Sequence, residues 1–385
     1  MRILFVNYEY PPLGGGGGIV NAWLAEELAK RHEVAVLTSR AFDLPSHEIR
    51  NDVEITRSPT LFRRQYAAAN IPSMASFILS GTVKGRELVG NHKYDIINTH
   101  FAIPTGPVGA LLSGFGNIPN VLSVHGGDLY DPSKWSSPHR HAFLRYVVRK
   151  VAQSADAIVG QSRNTNENLC NFFDSTLRPR LIPLGIPRPA QAEYGRAELG
   201  FEPDETILIS VGRLVGRKSC DQLIRLVSSL GNIKVRLVVI GSGPDLPSLQ
   251  HQADELGVAN QIMFEGFIPE QRKVDLLAAA DIYVSTSQHE GFGLVFLEAM
   301  AQGLPVVCYD HGGQTDYLQD GVNGALLPLN DFDAFESAVR DLIQNTDRCS
   351  AISEKNLRDI ERLFIENCAT RYEDLFREVI GRDRE

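Results

Sequence analysis

What most constrains this chain is a pattern that runs twice. Short runs of β-branched and aliphatic residues alternate with longer amphipathic stretches, and a proline-rich segment divides the two series. In the first half the runs predicted as strands are Ile3–Asn7, Val34–Thr38, Val53–Arg57, Ile96–His100, Val121–His125 and Ala157–Gly160. The stretches predicted as helices are Ile19–Arg31, Pro72–Val89, Pro107–Phe115, His139–Gln153 and Asn164–Phe172. Strands that alternate with helices are joined by crossovers rather than hairpins, which predicts parallel sheets covered by helices.

The segment Arg178–Tyr194 then brings four prolines, at 179, 183, 187 and 189. Proline lacks the N–H and has a fixed φ, so this reads as a linker. The pattern restarts with strands at Thr206–Val211, Val235–Ile240, Ile262–Phe264, Ile282–Ser285 and Pro305–Cys308. Its helices are Cys220–Leu230, Leu246–Leu256, Gln271–Ala280, Leu294–Gln302 and Asp333–Asn345. The expected organisation is an N-terminal Rossmann-like domain (1–180), a linker (181–205), a second Rossmann-like domain (206–355) and a C-terminal helix within 356–385, near Asn356–Val379. Ligands of such sheets sit beyond the carboxyl ends of the strands, so the two domains are expected to face a central cleft.

Composition narrows the function. The chain has 385 residues, 43% apolar and 22% charged, which is ordinary for a globular protein of two domains. No apolar run reaches the length of a membrane span, and the first residues form too short a run for a signal peptide. The five cysteines are scattered without a C-x-x-C pair, which predicts free thiols in a reducing cytoplasm. Residues 1–180 hold 19 Lys and Arg against 15 Asp and Glu, whereas residues 181–385 hold 19 against 32. So small a basic surplus argues against nucleic acid and fits an acidic acceptor or an anionic membrane surface better.

Several motifs carry candidate chemistry. Gly14–Gly18 follows the first strand, so the amides around Gly16 and Gly17 can approach a phosphate or sugar closely. It is not the dinucleotide fingerprint, because Ile19 stands where the last glycine belongs. Arg213 and Lys218 lie just after the first strand of the second domain, where a guanidinium fork and an ammonium suit a diphosphate. In Glu290-Gly291-Phe292-Gly293-Leu294, the glycines bare backbone at a helix start and Glu298 follows within that helix. Eight residues of helix span about 12 Å, too far for a glycosidase carboxylate pair. The two acids are therefore expected to grip separate parts of one long ligand, Glu290 the sugar and Glu298 the ribose. His125, followed by Gly126-Gly127-Asp128, ends a strand and is a candidate sugar contact. Asp331-Phe332-Asp333 precedes an amphipathic helix and reads as its cap, not as a metal site.

Together these residues resemble family 4 of the retaining glycosyltransferases, which share the GT-B fold. The marks are Glu290-x7-Glu298, Gly212-Arg213-Leu214-Val215 with Lys218, Gly241-Ser242-Gly243-Pro244 and Phe264-Glu265-Gly266-Phe267. The resemblance implies transfer of a hexose-type sugar from a nucleotide-sugar donor, without metal or cofactor, to a glycan, lipid-linked or small-molecule acceptor. It implies that Arg213 and Lys218 bind the diphosphate and that Glu290 and His125 meet the sugar. Backbone at Gly291, Phe292, Gly293 and Leu294 would hold sugar and phosphate, Glu298 the ribose, and backbone at Phe267 and Ile268 the base. It also implies that the C-terminal helix crosses back to the first domain. Ser219 and Asp316 depart from the family, which often has glycine and glutamate there. The alternatives are a nucleotide-sugar epimerase on the same fold and a non-catalytic nucleotide-sugar-binding protein. Arg140–Lys150 interleaves cations with apolar residues at helical spacing, and Leu61–Tyr66 holds Arg63 and Arg64 among apolar neighbours; both suggest peripheral membrane contact.

Overall fold

The structure is a computed structural model that describes residues 1–66, 68–132 and 134–382. The chain forms two compact units, one built from residues 1–187 together with the segment from Phe364 onward, the other from 188–363.

The first unit runs β1 (Arg2–Asn7), α1 (Gly16–Ala29), β2 (Glu33–Arg40), β3 (His47–Arg50), β4 (Val53–Pro59), α2 (Ile71–Asn91), β5 (Ile96–His100), α3 (Thr105–Gly116), β6 (Asn120–Val124), α4 (Ala142–Ser154), β7 (Ala157–Gly160), α5 (Arg163–Phe172) and β8 (Arg180–Leu181). Among the described residues its sheet has the order β3-β4-β2-β1-β5-β6-β7-β8, parallel except for the β3–β4 pair. Leaving out β3 and β8, this is the doubly wound order, with its switch between β1 and β5. Alternate residues of β1 feed opposite faces. Ile3 and Phe5 pack with α1, whereas Leu4 and Val6 pack with Phe77 of α2 and Val108 and Leu112 of α3.

The second unit runs β9 (Thr206–Val211), α6 (Cys220–Leu230), β10 (Val235–Ile240), α7 (Leu246–Glu255), β11 (Ile262–Gly266), α8 (Glu270–Ala279), β12 (Ile282–Ser285), α9 (Leu294–Ala301), β13 (Val306–Tyr309), β14 (Gly324–Leu327), α10 (Phe332–Gln344) and α11 (Thr346–Asp359). Its sheet is wholly parallel in the order β11-β10-β9-β12-β13-β14, again doubly wound, with the switch between β9 and β12. Asp331 caps α10 by accepting the Ala334 N–H at 3.0 Å.

Several details differ from the sequence reading. Residues 181–205 are not a free tether. The segment up to Pro187 belongs to the first unit, where Ile186 bridges to Phe364. Residues from Arg188 belong to the second, with Glu193 N–H on Asp275 at 2.8 Å and Arg196 on the Ala279 carbonyl at 2.9 Å. The single helix expected near 356–379 is two, α11 and α12 (Ile365–Arg382), separated by a 3-10 turn at Ile360–Leu363. No proline or glycine marks that break. It forms because Ile365 N–H turns to the Ile186 carbonyl at 2.8 Å, and a Cβ on Gly185 would lie 2.7 Å from the Ile365 backbone. Beyond it α12 lies in the first unit, burying Ala369, Tyr372 and Phe376 against the Ile3 face of the sheet. The strands β3, β8 and β14 were unexpected; they lie at sheet edges, and their sequences lack a run of β-branched residues.

Candidate active site

The charged candidates gather at the carboxyl ends of β9 and β12, at the switch of the second sheet. The loop after β9 is held by backbone alone. A Cβ on Gly241 would lie 1.8 Å from the Gly212 carbonyl, and one on Gly243 would lie 2.0 Å from that of Leu214. Only glycine permits this approach, and Leu214 N–H then donates to the Ser242 carbonyl at 3.0 Å. Arg213 is fixed between these contacts, while its own side chain is exposed and has no ion pair or hydrogen bond among the described residues.

Lys218 behaves differently. Its ammonium pairs with the Glu290 carboxylate, and the Arg217 guanidinium lies 3.7 Å from the same carboxylate while donating to the His289 carbonyl at 2.9 Å. Burial alone would push Glu290 up, but Lys218 and Arg217 outweigh it and hold the carboxyl below its ordinary range. Arg217, to which the sequence reading gave no role, is therefore part of the cluster. Lys218 leads into Ser219, whose φ of 45° lies in the left-handed region. Glycine adopts that conformation without the steric cost that a Cβ brings.

Glu290 itself is set by the loop after β13. It bridges to Gly312, and its carbonyl accepts the Gly313 N–H at 2.8 Å. A Cβ on Gly312 would lie 2.4 Å from that carbonyl. Gly293, at φ 85°, starts α9, so Glu290 lies outside the helix rather than on it with Glu298. The Tyr317 hydroxyl reaches the carbonyls of Phe292 and Gly293 at 2.7 and 2.8 Å and holds this turn in place. Phe296 N–H donates to the Gly293 carbonyl at 3.0 Å, which leaves the amides of Leu294 and Val295 at the start of α9 without an intrahelical acceptor and open to an anion. Asp316 is half-buried in the 3-10 turn Gly313–Asp316.

Glu298 lies in the second turn of α9. One oxygen meets the Lys273 ammonium at 2.9 Å; the other is shielded from water and has no partner among the described residues. Burial raises the Glu298 carboxyl despite Lys273. Lys273, from α8, was not anticipated; it also lies 2.9 Å from Glu270. Phe267 follows the left-handed Gly266 at the end of β11 and is 92% exposed, with Ile268 half-buried beside it.

In the first unit, the glycine run is not a loose loop. Gly14 N–H is tied to the Tyr66 carbonyl at 2.8 Å, and α1 begins at Gly16, so Gly16–Gly18 form its first turn. The amides of Gly16 and Gly17 have no intrahelical acceptor. A Cβ on Gly17 would lie 2.6 Å from the Phe101 ring, and that ring stands 4.4 Å from His125. His125 follows β6. Its backbone N–H donates to Asp128 at 2.8 Å, and the other Asp128 oxygen accepts from Ala102 N–H at 2.6 Å. Burial pushes the Asp128 carboxyl up to about 6 and the His125 imidazole down to about 3. His125 Nε2 lies 3.0 Å from His100 Nδ1.

Two family descriptions match this chain: "Glycosyltransferase Family 4" over residues 14–188 and "Glycosyl transferases group 1" over residues 192–359. An uncharacterized glycosyltransferase of Methanocaldococcus jannaschii is 32% identical over 336 residues, with 84% of each chain covered. This chain belongs to the family 4 glycosyltransferases. A GDP-mannose-dependent alpha-(1-6)-phosphatidylinositol monomannoside mannosyltransferase of Mycolicibacterium smegmatis is 28% identical, with 91% of each chain covered. Among solved structures, sucrose-phosphate synthase from Thermosynechococcus elongatus superposes with a TM-score of 0.85 at 22% identity, covering 99% of each chain. The fold of this glycosyltransferase is GT-B, with the two parallel-sheet α/β units described above.

The membrane candidates divide. Arg63 is buried, donating to the Gln65 and Tyr66 carbonyls at 3.1 and 2.9 Å, and so is structural, whereas Leu61, Phe62 and Arg64 are exposed. On α4 Val148, Val151 and Ala152 pack inward, so this part of its apolar face is taken up by the core. What stands outside is Phe143, Tyr146 and the nearby Trp135, with Arg145 and Lys150. Among the described residues no helix is long and apolar enough to cross a membrane.

Proposed function

We propose that this enzyme transfers a sugar from a nucleoside diphosphate sugar to an acceptor hydroxyl with retention of configuration. The observation that carries the reading is charge. Lys218 and Arg217 share the single carboxylate of Glu290, and Arg213 on the same loop has no ion pair among the described residues, which leaves a surplus of two positive charges in the cluster that also holds the start of α9. Two surplus cations match the diphosphate of a bound donor and stabilise the negative charge that grows as it leaves. The unpartnered Glu298 oxygen is an acceptor for a ribose hydroxyl, and a carboxylate suits a diol better than any neutral side chain. Glu290 takes sugar hydroxyls, backbone at Gly291–Leu294 holds sugar and phosphate, and Phe267 and Ile268 border the base. The nucleotide dependence in the name of the mycobacterial relative supports a nucleotide-sugar donor.

In the transfer, the bond from the anomeric carbon to the diphosphate oxygen breaks while the acceptor oxygen bonds the same face. The acceptor proton passes to the departing phosphate oxygen. The protein's cations supply the charge stabilisation, so the reaction is proposed to need no metal, and activity is expected to survive EDTA. The experiment is a donor screen with GDP-mannose and UDP-glucose, reading thermal stabilisation and then product configuration by NMR. A retained anomer with release of nucleoside diphosphate supports the reading. An inverted product, loss of activity on chelation, or sugar interconversion without acceptor would overturn it, the last in favour of an epimerase.

We also propose peripheral contact with an anionic membrane surface through Trp135, Phe143 and Tyr146, aromatic rings flanked by Arg145 and Lys150. Rings of this kind bury at the lipid interface while the cations meet the headgroups. Co-sedimentation with vesicles of rising anionic content is expected to increase, and to fall for Phe143→Ser. Equal recovery in the supernatant at every composition would count against it.

A further inference from the structure

Four groups in the first unit form a chain of hydrogen bonds whose direction is forced from one end. The Val121 carbonyl can only accept, and the Asn98 side-chain amide donates to it at 3.1 Å, with a second bond to Ser123 Oγ at 3.1 Å. That orientation points Asn98 Oδ1 at His100 Nε2, 2.6 Å away. A carbonyl oxygen accepts, so His100 carries its proton on Nε2 and leaves Nδ1 bare. His100 Nδ1 therefore accepts from His125 Nε2 across 3.0 Å. One consequence remains: His125 Nδ1 has no proton. It is also shielded from water and without a partner among the described residues.

We infer that Asn98 and His100 are positioning residues that fix the tautomer of His125, so that its Nδ1 meets substrate only as a hydrogen-bond acceptor. Neither ring can relieve the arrangement by taking a second proton, since burial holds both imidazoles well below their usual range. The network is braced from outside. Tyr372 of α12 lies 3.0 Å from Ser123 Oγ, and the Phe5 ring stacks on His100 at 5.3 Å. A buried acceptor without a partner is unfavourable unless something donates to it, and a sugar hydroxyl is the donor that a glycosyltransferase offers. His125 then orients a neutral hydroxyl; it cannot serve as an acid or as a cation for phosphate. The inference rests on the reading of His125 as a sugar-site residue, but the place of the proton does not.

The test is a two-bond proton–nitrogen correlation spectrum of the full chain with nitrogen-labelled histidine, which separates protonated from bare ring nitrogens. In the wild type, His125 is expected to show a protonated Nε2 and a bare Nδ1, as is His100. A protonated Nδ1, or an imidazolium, on His125 overturns the inference without any variant. His100→Leu removes the acceptor and is expected to move His125 to a mixture of tautomers, with kcat/KM about tenfold lower. His100→Gln, whose amide can both donate to Asn98 and accept from His125, is expected to restore the signature and most of the rate. If His100→Leu leaves the His125 nitrogens unmoved, the positioning role is wrong. Kinetics of His125→Phe decide separately whether His125 belongs to the sugar site.

Discussion

Two buried carboxyls, Glu290 in the second unit and Asp128 in the first, are perturbed in opposite directions. Glu290 in the second unit sits against Lys218 and Arg217 and is held below the ordinary carboxylate range. Asp128 in the first unit accepts only backbone N–H groups and is pushed up to about 6. The contrast extends to the surroundings. The second unit collects cations and acids in pairs, Lys218 with Glu290 and Lys273 with Glu298. The first collects neutral imidazoles and an amide around His125. A buried site of fixed ionic pairs is preorganised for a charged ligand, whereas a neutral hydrogen-bond network selects by direction. The same doubly wound sheet thus carries two kinds of polar arrangement, and the difference lies in which residues stand beyond the carboxyl ends of its strands.

The comparison breaks first at the cations. Arg213→Ala or Lys218→Ala is expected to lower kcat by about 10²-fold or more, because preorganised charge acts on the transition state. Wild-type turnover in either variant would remove that residue from the site. A step smaller is Lys273→Met, which leaves Glu298 buried without its ion pair. Glu298 should take up a proton and lose its grip on ribose, raising donor KM about tenfold, and stability should fall by up to about 3 kcal/mol. An unchanged KM with the same loss of stability would make Lys273 purely structural.

The carboxyl contrast itself predicts opposite pH slopes. Glu290 has a depressed value when folded, so its contribution is full above the unfolded carboxylate range and is lost as pH falls through the folded value. Asp128 is raised from 3.8 to about 6, so its contribution is largest below about 4 and falls as pH rises through about 6. Thermal unfolding of Asp128→Asn across pH 4–7 should lose that downward component. Glu290→Gln should lose the acid-side rise instead. Matching slopes in both variants would show that the two carboxyls are not distinct. The smallest effect expected is at Ser219. Its left-handed backbone is strained for a residue with a Cβ, so Ser219→Gly should stabilise the second unit by about 0.5–1 kcal/mol despite the added chain entropy. A drop in Tm would mean that the hydroxyl, 3.3 Å from the Gly216 carbonyl, matters more than the strain.

The repeat of strand and helix, the mainly parallel sheets and the loops at the carboxyl ends of their strands were all legible in the sequence. Hydrophobic period is a local property, and a parallel strand buried on both faces shows it plainly. The glycines were legible as punctuation, though not their reasons. That Gly241 and Gly243 admit the backbone of Gly212 and Leu214 depends on strands about 30 residues apart lying side by side. Other features left no local trace. Lys273 and Glu298 meet because α8 and α9 are packed in one unit, and Tyr317 reaches the turn before α9 from a loop beyond β13. Asn98, His100 and His125 become a directed relay only when β5 pairs with β6 and a single carbonyl, at Val121, fixes the amide. Spacing along a chain sets which backbone conformations recur. Which charge is neutralised, and which nitrogen keeps its proton, follows from partners that only the folded sheet brings within hydrogen-bond distance.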